Sequence, residues 1–294
     1  MKALVNDAAG ATLAPVHGRS RAVYNSGVAP GMTDRTTHTH TRRTLLVAAA
    51  LVIAACGGNG APETPTGNIP PDQFLSDRAA NAVRRERWPD ARRYYQQVVE
   101  NYPQSTLRPD AKLGVGDTFL SEGGDANLVL AENEFREFIT FYPTNGRADY
   151  AQYKLAMSHF LRMRAPERDQ TETIAAVREF EAFFDRYPNS RITAEVREKW
   201  REARSRMSEA SYRVGLYYYR ARWYPGAIDR FKAVLKEDPG YPGRDAVYYY
   251  LAESLLKTDK KAEAVPYYDR LVKEFTTGEF VADARKRLET LAVE

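Results

Sequence analysis

Beyond residue 72, apolar residues recur every three to four positions, the period of an amphipathic helix. The pattern also repeats. "ARRYYQQVVENYPQS" begins at Ala91, "AENEFREFITFYPTN" at Ala131 and "AVREFEAFFDRYPNS" at Ala176, with looser copies from Ala227 and Ala264. Four residues after each alanine stands an aromatic: Tyr95, Phe135, Phe180, Phe231 and Tyr268. Apolar pairs such as Val98-Val99 and Phe183-Phe184 follow, and then Tyr102, Tyr142, Tyr187, Asp238 and Phe275 at the eleventh place. Offsets of 4, 7, 8 and 11 share one helix face. Each copy therefore predicts a helix whose small alanine lets a neighbour approach and whose aromatic fills the space beside it.

Pro103, Pro143, Pro188 and Pro239 each stand one residue further on. Proline cannot donate the next helical hydrogen bond and pushes its predecessor out of helical geometry, so the helix ends there. The Ser, Thr, Asn or Gly that follow are predicted to be turn and N-cap residues. Ala-x3-Phe-x7-Pro is the second-helix pattern of the tetratricopeptide repeat. The first helix is legible in the last two copies, where Gly215 with Tyr218 and Ala252 with Leu255 lie twelve residues before the alanine-aromatic set. Alanine-to-alanine spacings of 40, 45, 51 and 37 exceed the usual 34 or so. Enlarged loops or first helices follow, most clearly at Arg164 to Thr173. A lone helical hairpin cannot bury its own face. The expected fold is an all-α tetratricopeptide solenoid of about five helix-turn-helix units with a concave surface.

Charge alters the picture once it is located. The chain carries 43 Lys and Arg against 39 Asp and Glu, but residues 1–55 hold six of the former and two of the latter. What remains is neutral, which argues against nucleic acid as partner. In that leader, Arg42-Arg43 precede an apolar run, Leu45 to Ala55, too short to span a bilayer. The pattern is that of a signal peptide, and fits general secretion better than twin-arginine export. Met32 is a second candidate start that would give a signal of ordinary length. "IAAC", ending at Cys56, resembles a bacterial lipobox, whose cysteine is lipidated after cleavage before it. Cys56 is the only cysteine, so no intrachain disulfide can form. Gly57 after it favours the outer membrane. Residues 56–71, rich in Gly and Pro, read as a lipidated flexible tether, reaching roughly 50 Å at about 3.3 Å per residue. The expected organisation is leader 1–55, tether 56–71, repeats 1–3 in 72–189, and repeats 4–5 with a long connecting helix in 190–294.

Chemistry is sparse. Beyond the leader the one histidine is His159, on an apolar helical stretch where a structural role is expected. No Cys/His cluster has metal-ligand spacing, and the glycines at Gly114 and in "EGGD" lack the strand that a phosphate loop needs. Carboxylates alternate with Lys and Arg as on solvated helix faces. No cofactor, metal or enzymatic activity is expected. The runs Tyr217–Tyr219 and Tyr248–Tyr250 span about 200° of a helix, too much for every ring to face inward. Exposed rings of this kind mark recognition surfaces.

Signal, tether and repeats together resemble the BamD family of outer-membrane protein assembly lipoproteins. The likeness runs from about Asp72 to the end and is closest from Glu167, through "FFDRYPNS" and the long polar helix after it, to Arg230. It implies a non-enzymatic lipoprotein on the periplasmic face of the outer membrane, within the β-barrel assembly machinery. It further implies that the C-terminal repeats dock on a POTRA domain of a BamA-like barrel protein. The N-terminal repeats would receive the aromatic-ended strand of an unfolded outer-membrane protein, and other assembly lipoproteins would be partners. Tyr217, Tyr218 and Arg230 match family positions near the working surface, though Tyr218 also fits a packing position. The leader and a loop around Arg164 shorter than the family's depart from its pattern. The alternative is another periplasmic repeat lipoprotein serving cell-envelope or cell-wall maintenance, which sustained heptads or a peptidoglycan-binding domain would indicate; neither is visible.

Overall fold

Each aromatic copy folds as the second member of a helix pair. The computed structural model describes residues 68–293, where the regular structure is eleven helices. The pairs are α1 (Pro71–Arg84) with α2 (Trp88–Asn101), α3 (Arg108–Glu122) with α4 (Asp125–Phe141), and α5 (Ala148–Phe160) with α6 (Thr171–Arg186). Then come α7 (Thr193–Arg220) with α8 (Tyr224–Glu237), α9 (Arg244–Lys257) with α10 (Lys261–Glu274), and a closing α11 (Val281–Val293). Each helix packs on the one before and after it, the nearest-neighbour order of a tetratricopeptide solenoid. The expected fold class is the observed one. The leader, Cys56 and most of the tether lie outside the described residues.

The repeated stripe is the core. All five alanines are buried, as are Phe135, Phe138, Phe180, Phe183, Phe231 and Tyr268. Removing one such side chain from water contributes about 1.5–3 kcal/mol. Each ring needs a gap to enter. A Cβ on Gly116 would sit 2.8 Å from Phe135 Cε1, and one on Gly215 2.6 Å from Phe231 Cε1. These first-helix glycines thus admit the aromatic four residues past the alanine.

Turns within units 1, 4 and 5 share one geometry. Glu86, Arg222 and Asp259 have φ of 55°, 61° and 59°. The next residue's N–H reaches back to a carbonyl of the preceding helix: Arg87 to Ala82, Trp223 to Tyr218 and Lys260 to Leu255, each at 2.9 Å. This is a Schellman-type closure that usually employs glycine. Between units, Tyr102, Tyr142 and Tyr187 end their helices at φ/ψ of −125°/64°, −129°/53° and −129°/55°. Where the sequence drifts so does the backbone: −134°/77° at Asp238 and −121°/109° at Phe275. The Ser and Asn that follow are turn residues rather than N-caps. The backbone N–H of Leu107, Arg147 and Ile192 donates to Ser105 Oγ, Asn145 Oδ1 and Ser190 Oγ, and those three donors are themselves the N-cap positions.

Two enlargements account for the long spacings. Residues 161–170 link α5 to α6, where other units use two or three residues. The next unit is long because of its helix instead: α7 has 28 residues, about 42 Å. Val196, Trp200 and Ala203 of α7 pack on the unit-3 cluster, while Tyr212, Tyr218 and Tyr219 join that of units 4 and 5.

Candidate partner-binding surface

The turn that starts α8 builds an aromatic platform. Arg222 in its left-handed conformation swings Trp223 over Gly226, where a Cβ would come within 2.5 Å of the indole. Tyr218 meets the same indole edge-on, with centroids 4.6 Å apart, and Tyr217 lies 5.9 Å from Tyr218. Tyr218 is half-buried against the core, as its packing position requires. Tyr217 and Trp223 are 68% and 55% exposed. The three rings are held by contacts rather than left free, so they present apolar area at little entropic cost.

Arg220 and Arg222 beside this turn, and Arg230 on α8, are exposed, and among the described residues none of the three makes an ion pair. Most other arginines do. Arg213 pairs with Glu209 and Glu167, and Arg287 grips buried Glu253 at 2.7 and 3.1 Å. Sequence reasoning named Tyr217, Tyr218 and Arg230 here but missed Trp223, whose signal was its place one residue before a Tyr-Pro helix start. The second tyrosine run behaves differently: Tyr248 is buried, and Tyr249 and Tyr250 are half-buried against Phe280, at 4.9 and 5.6 Å. Burial pushes the Tyr249 hydroxyl up to about 12, with Glu253 adding to it.

A second recess of about 430 Å³ lies at the first unit, walled by Arg78, Arg85, Arg87, Asp90 and Tyr94. Arg78 donates to Tyr94 Oη at 3.2 Å and draws its pKa down. His159, by contrast, is buried in an ion network. Its Nδ1 lies 2.8 Å from Glu172 Oε2, and Arg162 bridges Glu172, at 3.0 Å, and Glu132. Burial pushes Glu132 up, but Arg136, His159 and Arg162 more than reverse this and hold it low. The network ties α4, α5 and α6 together beside the long loop. No group of three or more potential metal ligands occurs among the described residues, and no helix there is long and apolar enough to cross a membrane.

Residues 70–264 match the model of the YfiO family, described as outer membrane lipoprotein. The chain belongs to the YfiO family. Its curated relatives include the outer membrane protein assembly factor BamD of Caulobacter vibrioides, 26% identical over 232 residues, 76% of this chain and 73% of that one. The BamD of Xylella fastidiosa is 25% identical, covering 66% and 68%. That of Rickettsia prowazekii is 23% identical, covering 76% and 88%. The match takes in α1 to α9 and stops four residues into α10.

Proposed function

We propose that this chain is a non-enzymatic scaffold of outer-membrane protein assembly, anchored to the periplasmic face of the outer membrane by a lipid on Cys56. Membership of the YfiO family over residues 70–264 is the observation that carries the reading. Units 4 and 5 offer the docking site for a POTRA domain of the barrel protein, through Tyr217, Trp223 and Arg230, with Tyr218 supporting the platform. Rigid aromatics beside unpaired arginines are what interface hot spots are made of. The recess at the first unit, with its three arginines, has the charge to accept the terminal carboxylate of an aromatic-ended barrel strand. Burial of His159 in a salt-bridged network supports a structural part for it and a scaffold rather than a catalyst.

Co-purification from gently solubilised outer membranes tests this. The wild-type chain is expected to bring down a POTRA-bearing barrel protein, and Arg230→Glu or Tyr217→Ala to lose most of it while the fold persists. Recovery of cell-wall factors with no barrel protein would overturn the proposal.

A further inference from the structure

Along α7, apolar packing stops and restarts. Ala203 is the last residue of this helix in the unit-3 cluster, and Tyr212 the first in the cluster of units 4 and 5. Nine residues separate them, about 13 Å of helix. Helix α5 also serves two clusters, but there the contributing positions interleave: Ala151 and Leu155 face one, Tyr153 and Ala156 the other. It is clamped along its length, whereas between Ala203 and Tyr212 only Ser208 and Ala210 of α7 are buried and neither belongs to an apolar cluster.

That middle is held by polar contacts, and they cross. From the second half, the turn after α8 reaches back towards the first: Asp238 takes hydrogen bonds from Arg201 and, at 2.7 Å, from Ser208, while the Glu237 carbonyl takes one from Arg204. From the first half, loop 161–170 reaches forward. Glu167 pairs with Arg213, and the Arg164 carbonyl accepts from Arg206 at 3.4 Å. A groove of about 570 Å³ separates the two straps, with Ala165 and Pro166 on one wall, Pro242 on the other and α7 as its floor.

We propose that α7 between Ala203 and Tyr212 is the joint of the molecule, and that the two crossing straps set its angle. Units 1–3 then move as one body and units 4–5 as another. Bending the helix at the joint disturbs mainly polar contacts, of which Ser208 with Asp238 is buried, and little apolar surface beyond Ala210. A partner touching both halves would fix the angle, and one touching either strap would shift it. The joint is a property of this chain alone, whatever docks on the halves.

Paired spin labels in the full chain, with Cys56→Ser so that only introduced cysteines react, measure it. Labels at Arg178 and Lys273 straddle the joint, and labels at Arg93 and Arg178 lie within the first half; all three positions are exposed. The straddling pair is expected to give the broader distance distribution. The double variant Glu167→Gln, Ser208→Ala should broaden or shift that pair alone, at unchanged helix content. A straddling distribution as narrow as the internal one, and unmoved by the variant, would overturn the joint. A change in both pairs would mean general loosening and would equally overturn it.

Discussion

Tyr187 and Asp238 stand at the same point of successive units, yet they close their helices by opposite means. Tyr187 lays its ring beside Phe183, with centroids 5.9 Å apart, and the turn after it is pinned where Ser190 Oγ donates to Asp149 at 2.6 Å. Asp238 is 2% exposed and buries a carboxylate under Arg201 and Ser208. One closure rests on a ring contact and a single hydrogen bond to a carboxylate in the turn beyond it, with no ion pair at the helix end among the described residues. The other depends on Arg201 and Ser208 both being present and on the carboxylate staying charged. A repeat can thus keep its backbone while changing the kind of interaction that holds it, and with that the conditions under which it fails.

The sharpest way to break the contrast is Asp238→Ala. It strands the partly buried Arg201, whose Nε already lacks a partner. About 2–3 kcal/mol of destabilisation is expected, less than for a fully buried pair because Arg201 keeps some solvent. The urea midpoint of the helical signal would show it. Alanine at Gly116 or Gly215 should cost about 1–3 kcal/mol, since the new methyl meets a buried ring. An equal loss at both would show that the units are alike wherever the motif is intact, and a loss at one alone would deny it.

Acid separates the two closures more gently. Burial pushes the Asp238 carboxyl up, but Arg201 and Ser208 more than offset it and leave its pKa depressed. A depressed folded value means this group's stabilisation is complete above the unfolded carboxylate's value of about 4 and is lost as pH falls through the folded value. Stability measured from about pH 6 down to about pH 3 should therefore fall less in Asp238→Asn than in the wild type. The smallest effect is expected at the turns within units. Glycine at Glu86, Arg222 or Asp259 relieves a left-handed residue and should stabilise by about 0.5 kcal/mol. A loss at any of them would show side-chain contacts outweighing backbone relief.

The second helices were legible because burial imposes the same stripe each time, and Ala91 to Phe275 carry it openly. First helices in units 1–3 were harder to see. Ala79 keeps the twelve-residue offset from Ala91, but Gly116 stands fifteen before Ala131 and Ala156 twenty before Ala176, because α4 starts six residues before its alanine and the long loop 161–170 precedes α6. The sequence left open whether loops or first helices were enlarged, and each is true once: a loop in unit 3, a helix in unit 4. The tyrosine runs could be shown to need exposed rings, but which ring depends on neighbours far along the chain. Trp223 lies over a glycine three residues on, and Phe280 covers Tyr249 and Tyr250 from the far end. Asp238 looked like a lapse in the motif, because its partners Arg201 and Ser208 lie 37 and 30 residues upstream.

Because Val196, Trp200 and Ala203 complete the unit-3 cluster, α7 also fixes an order of events as the chain emerges during synthesis. The unit-2 cluster in the same way waits for Ala151 and Leu155 of α5. Of the rings of α6, Phe180 already meets Tyr153 and Phe160 of α5, but Phe184 stays uncovered until Trp200 has followed the Tyr-Pro turn. Anything that stalls the chain there presents Phe184 to solvent and to whatever waits to bind it.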